Sequence, residues 1–276
     1  MPRTIRVRSR NHSAGLLRNQ VRCARPTVLR LGSFTPTNQI FTPAQIREGV
    51  VEINTVQSCQ NSNDKFLMKQ CFDNCAVPTA NWALMNNTRY VEGETAVRIV
   101  NAENKSYNYL RFPLIIKNRH SSRGRGIYFV ENASDYTRYF ASLNTSAHII
   151  EEYKNYSKEY RVHASSREAF YANRKMLLND VPEEQRFHRH HENTVWIVPE
   201  NPNFVAPANM EEIKQAAINA ILSVGLTIGC VDVKVQQNRA GRDPEFIILE
   251  TNSGPALGEL TAPLYINELT QLITSR

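Results

Sequence analysis

Acidic residues are missing from the first 47 positions; the first is Glu48, and nine arginines precede it. They are Arg3, Arg6, Arg8, Arg10, Arg18, Arg22, Arg25, Arg30 and Arg47. Such a segment fits either an organellar transit peptide, which is arginine-rich and acid-poor, or a basic surface on a folded lobe. Ile5-Arg6-Val7-Arg8 and Thr27 to Leu31 alternate as strands do, and Ser13 is placed to cap a helix through Val21. A strand-helix-strand unit is a fold, which favours the second reading. Long apolar runs are also missing: nothing approaches the roughly 18 residues of a membrane span, so no membrane partner is expected. Cysteine is sparse. Cys23, Cys59, Cys71, Cys75 and Cys230 are odd in number and form no dense framework, which points to reducing cytosol and a cytoplasmic location. Cys71 and Cys75 share a helix face at a spacing of four, which suits packing better than metal binding.

A chain of 276 residues with 41% hydrophobic and 21% charged content has room for one large or two modest domains with a real core. The net charge of +7 and pI of 9.2 favour an anionic partner. They do not choose among nucleotide, acidic peptide and nucleic acid.

The segment Phe246 to Leu260 organises the rest. Four apolar residues of a buried strand run into Glu250, Thr251 and Asn252 and then a Ser-Gly-Pro turn. A second strand-like run, G-L-T-I-G-C-V-D-V-K-V, carries Asp232. As neighbours, the two strands would gather three hard oxygen donors, Asp232, Glu250 and Asn252, which suit magnesium. An acidic pair capping a sheet edge satisfies the same residues.

Upstream, Asn63 or Asp64 caps a helix that ends near Asn74, so Lys65 lies in a first turn where the helix dipole favours anions. The run R-F-P-L-I-I-K-N-R-H-S-S-R-G-R-G-I-Y-F-V reads as two antiparallel strands joined by a flap. Lys117 ends the first strand, and Ser121, Ser122, Arg123, Gly124, Arg125 and Gly126 form the flap. It is not a Walker loop, since no G-K-[ST] opens a helix. A basic hairpin tip, functionless or gripping nucleic acid, remains open. A helix follows from Ser134 to Leu143. Glu151 and Glu152 then close an apolar strand, and Glu159 and Arg161 lie on the next. The stretches F-Y-A-N-R-K-M-L and R-F-H-R-H-H-E-N-T-V-W-I-V read as a hairpin pair and a basic loop containing His188, Arg189, His190 and His191. That loop lacks H-x-x-x-H spacing and suits an anion better than zinc. Asn209 caps a helix that stops near Gly225, and a last helix spans Pro263 to Ile273.

In order, N-D-K with V-P-T, F-P-L-I-I-K before a glycine-rich flap, I-I-E-E-Y before E-Y-R-V, and D-V-K-V before L-E-T-N-S-G-P resemble an ATP-grasp ligase over nearly everything after residue 50. The branch is that of the D-alanine–D-alanine ligases and the ribosomal-protein glutamate ligases. The resemblance implies an α+β fold with two lobes gripping ATP, at 61–152 and 153–276, and a short basic α/β lobe at 1–60. It also implies an ADP-forming carboxylate-amine ligase working through an acylphosphate, with an amino acid, peptide or other small molecule as substrates. The cofactors would be ATP and magnesium, with manganese as a substitute.

Position by position, the family implies that Lys65 and Lys117 contact the phosphates while Ser122, Arg123, Gly124 and Gly126 cover them. Glu151 would bind the adenine amino group, with backbone of Glu152 and Lys154 flanking Tyr153 reading the ring edge. Glu159 would hold the ribose, and Asp232, Glu250 and Asn252 the metal. Arg174 and Lys175, with Arg161 behind them, are the candidates for stabilising charge in the reaction. Arg189, His190, His191 and Lys234 are candidates for meeting a substrate carboxylate. The N-terminal lobe shows no substrate signature. Competing readings are a nucleic-acid or polyanion binding protein, a degenerate ATP-grasp scaffold, and a carboxylate-thiol ligase or kinase on the same scaffold.

Overall fold

The computed structural model describes residues 3–100, 105–122, 124–182, 187, 193–237 and 242–274. The chain opens on a three-stranded parallel sheet in which Thr27–Leu31 lies between Arg6–Ser9 and Val51–Ile53. Thr27–Leu31 is buried at every position, as befits the middle strand of a parallel sheet. The expected strand-helix-strand unit is present, but its helix, Ser13–Leu17, stops short of Val21. Asn19 adopts φ 63°, a left-handed conformation that a helix cannot continue through. The third strand was not evident in the sequence, nor was a three-stranded antiparallel sheet of Thr88–Tyr90, Ala96–Ile99 and Tyr109–Arg111.

Two larger antiparallel sheets follow. The first orders Ile127–Val130, Leu114–Asn118, His148–Glu152 and Trp82–Leu84. Along its strands Leu114, Ile116, Val130 and Ile150 bury against Tyr136 of the helix Ala133–Ser142. Alternation then turns Ile115, Lys117, Ile149 and Glu151 to the opposite face. The second sheet orders Thr194–Ile197, Ala169–Leu177, Lys158–Ser165, Ile228–Val235 and Phe246–Asn252. Tyr160, Val162, Val231 and Val233 pack under the helix Met210–Ser223 through Ile213, Ala217 and Ile221. Glu159, Arg161, Asp232 and Lys234 consequently line the other face. The expected Asn209 cap is absent: its amide donates to Pro244 O at 2.9 Å and to Glu212, and no side-chain cap bond forms.

Two successive helices, Val56–Asn63 and Lys65–Asn74, connect the units. Thr55 accepts from Ser58 N at 3.1 Å to start the first, and Asp64 accepts from Phe66 N at 2.9 Å to start the second. The final helix, Thr261–Thr274, packs Tyr265, Leu269 and Leu272 into the core of the parallel sheet, against Leu17, Leu29 and Ile53.

Asn54, at the end of the third parallel strand, ties that sheet to the second antiparallel one. Its amide donates to Arg30 O at 2.9 Å and Ile228 O at 2.8 Å, and its oxygen accepts from Thr227 N and Ile228 N at 2.9 and 3.1 Å. It holds φ 59°, which asparagine tolerates better than most residues. Asn54→Ala leaves buried backbone groups unpaired and keeps the strain, so it should cost about 3 kcal/mol of stability. Urea unfolding followed by circular dichroism measures it, and a loss below about 0.5 kcal/mol would show that Asn54 is not a tie.

Candidate functional site

Asp232 and Glu250 face each other across adjacent strands, and Arg161 faces Asp232 from the other side. Directly opposed residues of an antiparallel pair share a face, so the three form a row across the sheet. Asn252 lies two residues beyond Glu250 on the same side. Arg161 Nε and Nη2 donate to the two oxygens of Asp232 at 2.7 and 2.8 Å, a bidentate pair. Burial pushes the Asp232 carboxyl up, but the guanidinium outweighs it and holds the group below the usual carboxylate range. Burial likewise penalises the charged Arg161, and Asp232 more than restores it. The Arg161 guanidinium lies 5.0 Å from the Trp196 ring centre and Lys175 Nζ 5.5 Å from it. Lys175 also lies 3.6 Å from Glu159.

Among the described residues, no group of three or more His, Cys, Asp or Glu side chains is arranged to hold a metal. The row instead offers two carboxylates and an amide. Each Asp232 oxygen spends one acceptor position on Arg161 and keeps another, since a carboxylate has about four. The Glu250 carboxylate is partly exposed, 3.9 Å from Lys65 Nζ, and Asn252 Oδ1 accepts from Gly254 N at 2.9 Å. All three donors are hard oxygens on one face, a set that fits magnesium or manganese.

The helix Lys65–Asn74 brings the other sheet to this row. Glu151, buried in the first sheet, is gripped by Lys117 and by Lys69, the latter at 3.0 Å. Burial raises its pKa, and the two ammoniums override that and bring it down to about 2. Lys69 is itself buried, which lowers its pKa against the pull of Glu151, and it donates to Thr79, which donates to Ile248 O at 3.0 Å. One polar chain therefore runs from the first sheet to the last strand of the second.

Lys65 contributes through its side chain. Its backbone N–H donates to Arg119 O at 3.0 Å and that of Phe66 to Asp64, so these first-turn donors, expected to attract anions, are already satisfied. Lys65 Nζ donates to Ser121 O at 2.5 Å while lying near Glu250, joining the flap to the acidic row. Burial and Lys117 lower its pKa, and Glu250 opposes them. The flap is the expected turn between antiparallel strands: Asn118 N donates to Gly126 O at 3.0 Å and Arg125 N to Ser122 O at 3.3 Å. Gly124 and Gly126 have φ 75° and 64°, and a Cβ at Gly126 would come within 3.1 Å of Asn118 Cβ.

At the expected purine edge, Glu151 is engaged by two lysines instead of pointing outward to an amino group. Glu152 N–H donates to Asn81 O at 2.9 Å, and its carboxylate accepts from Arg111 N and Lys154 Nζ, both at 3.1 Å. Tyr153 N–H donates to Pro113 O at 2.9 Å and its ring meets Phe129 edge-on at 5.3 Å. Arg174 is corrected: it pairs with Tyr160, on the helix-covered face, so strand alternation turns it away from Arg161 and Lys175. Arg123, His188, Arg189, His190 and His191 lie outside the described residues. Lys69, the Arg119 guanidinium paired with Asp64, and Trp196 are additions to the expected site. Lys69 was detectable, because it stands four residues after Lys65 on one helix face.

Since the folded pKa of Glu151 is depressed from 4.5 to about 2, the stability it contributes is complete above about pH 4.5 and is lost as pH falls through about 2. Glu151→Gln should therefore lower stability by about 3 kcal/mol at pH 7, with the deficit shrinking as pH falls from 4.5 to 2. Urea midpoints across that range measure it, and a deficit independent of pH would refute the ionised state.

No protein-family model matches the sequence, and no curated protein does. Solved structures do match. A D-alanine–D-alanine ligase from Bacillus anthracis superposes with a TM-score of 0.54 at 14% identity, covering 81% of this chain and 70% of that one. An N5-carboxyaminoimidazole synthetase from Staphylococcus aureus, complexed with ADP, gives 0.53 at 17% identity over 83% of this chain and 54% of that one. A carboxyaminoimidazole ribonucleotide synthase from Aspergillus clavatus, complexed with ATP, gives 0.52 at 16% identity over 83% and 53%. The chain spans about half the length of these two synthases. With two helix-backed antiparallel sheets linked through one lysine-bearing helix, and with these structures as its likenesses, the chain has the ATP-grasp fold.

Proposed function

We propose that the protein is an ATP-dependent ligase that joins a carboxylate to an amine, with an amino acid or peptide among its substrates. The observation that carries this reading is the position of Lys65, whose ammonium touches both the flap carbonyl of Ser121 and the Glu250 side of the acidic row. A triphosphate replacing that bridge would have cations on one side and oxygen donors on the other. A D-alanine–D-alanine ligase and complexes with ADP and ATP among the similar structures support the same reading.

In this reading Lys65 and Lys117 hold phosphate oxygens, and Ser122, Arg123, Gly124 and Gly126 lie over them. The Glu152 carbonyl and the Lys154 N–H read the purine edge beside Tyr153, the Glu152 N–H being held by Asn81 O, and Glu159 holds the ribose. Asp232, Glu250 and Asn252 hold magnesium or manganese, which when bound neutralises phosphate charge. A carboxylate oxygen attacks the γ-phosphorus, and the bond to the β-phosphate oxygen breaks with its electron pair leaving on ADP. The amine nitrogen then attacks the acyl carbon, phosphate departs with the carbon–oxygen pair, and the nitrogen loses a proton. Positioning supplies most of the rate, because phosphoryl transfer asks little covalent help of a protein. Arg161 and Lys175 lie along the row where negative charge develops, with Trp196 fixing their heads. Arg161 also keeps Asp232 ionised.

The test is ADP release by the purified protein with ATP and magnesium over paired amino acids and short peptides, with mass spectrometry of the amide. Asp232→Asn combined with Glu250→Gln should reduce the rate about 100-fold or more, and Lys117→Met should weaken ADP binding. Turnover that survives the double substitution removes the metal assignment. Absence of any amide over the panel removes the ligase reading.

A further inference from the structure

Arg10 is a cation in a conspicuous place. It follows the first parallel strand, Arg6–Ser9, at the carboxyl end of that sheet, the edge where open parallel sheets receive ligands. Its guanidinium lies 3.9 Å over the Phe34 ring, and Nη1 donates to Asn63 Oδ1 at 3.4 Å. Both partners are neutral, and Arg10 is exposed. The ring fixes the plane of the guanidinium and leaves its outer edge for a ligand.

The surroundings place Arg10 by the turn that follows the acidic row and by the residues that lead into the Lys65 helix. Asn63 stands two residues before Lys65, whose ammonium lies 3.9 Å from Glu250. The Arg10 side chain passes 3.7 Å from where a Gly32 Cβ would stand, and that position is 3.5 Å from Gly254 Cα, two residues past Asn252. A Cβ on Gly254 would come within 2.9 Å of the Leu31 and Gly32 backbone, so the approach of the two units requires glycine there. Asn11 Nδ2 fastens the same turn by donating to Gly254 O at 2.9 Å, and Ser13 Oγ donates to Pro255 O at 3.0 Å. The N-terminal sheet thus holds, with no carboxylate partner among the described residues, a guanidinium beside the turn that follows Asn252.

We propose that Arg10 binds the carboxylate of the acid substrate. This rests on the ligase reading, and it gives the N-terminal unit a role that no sequence motif disclosed. The physical need is plain: a carboxylate must come within bonding distance of a γ-phosphate that is also negative. Lys65 and Lys117 serve the phosphate, while Arg10, on the opposite unit, neutralises the incoming acid and can grip both its oxygens.

ADP release is measured as a function of acid concentration for wild type, Arg10→Ala and Arg10→Lys, using the acid and amine that give turnover in the panel. Thermal melting and ADP affinity serve as folding controls. Arg10→Ala should raise the KM for the acid tenfold or more while leaving the KM for ATP within about twofold. Arg10→Lys should recover part of the loss, because charge remains and the fork does not. An unchanged acid KM in Arg10→Ala, or equal rises in the acid and ATP values, overturns the assignment while the ligase reading stands. A wild-type protein that binds ADP but releases none over the whole panel overturns both.

Discussion

Glu151 is a carboxylate taken out of water with an ammonium on either side. Isolated, any of the three charges would be too costly to bury; together, the attraction offsets the desolvation. The arrangement persists because each partner comes from a different element: Lys117 from the adjacent strand, Lys69 from the connecting helix, and Glu151 from the end of its own strand. Lys69 continues through Thr79 to Ile248 O. The two antiparallel sheets therefore have a fixed polar contact at their inner edge, and Lys65, one turn earlier on the helix, is aimed at the outer edge where the flap and the acidic row meet.

The second sheet follows the same logic with one cation and one anion in direct contact. Arg161 and Asp232 neutralise each other, so the row can be buried on one flank without excess charge. Glu250, on the far side, is left partly exposed and faces Lys65. The face grades from a closed ion pair to open ligands across three adjacent strands. Tyr160, Val162, Ala164, Val231, Val233 and Val235 lie under the helix, and Glu159, Arg161, Asp232 and Lys234 alternate with them on the other face.

Where alternation or a cap decided the outcome, the sequence was readable. The strands bearing Asp232 and Glu250, the flap hairpin, the Asp64 cap and the two long C-terminal helices follow from period and punctuation. What stayed hidden has specific causes. Val51–Ile53 is three residues long and belongs to a sheet completed by remote strands, so it carries no period. The face that Arg174 takes is not legible in the sequence, because the register of Ala169–Leu177 depends on its pairing and a one-residue shift reverses every side chain. Glu151 was read from a resemblance as a purine contact, and only the tertiary approach of Lys69 gives it different neighbours. Arg10 is one arginine among nine in its segment, set apart only by what surrounds it.

The core shared by the parallel sheet and the helix Thr261–Thr274 has a consequence for how the molecule comes into being. Leu17, Leu29 and Ile53 are synthesised well before Tyr265, Leu269 and Leu272, with which they share this core. At about 5–20 residues per second, the opening strands wait on the order of ten seconds or more with an uncovered apolar side. The positive charge of the first 47 positions, with nine arginines and no acidic residue, opposes association of like chains during that interval.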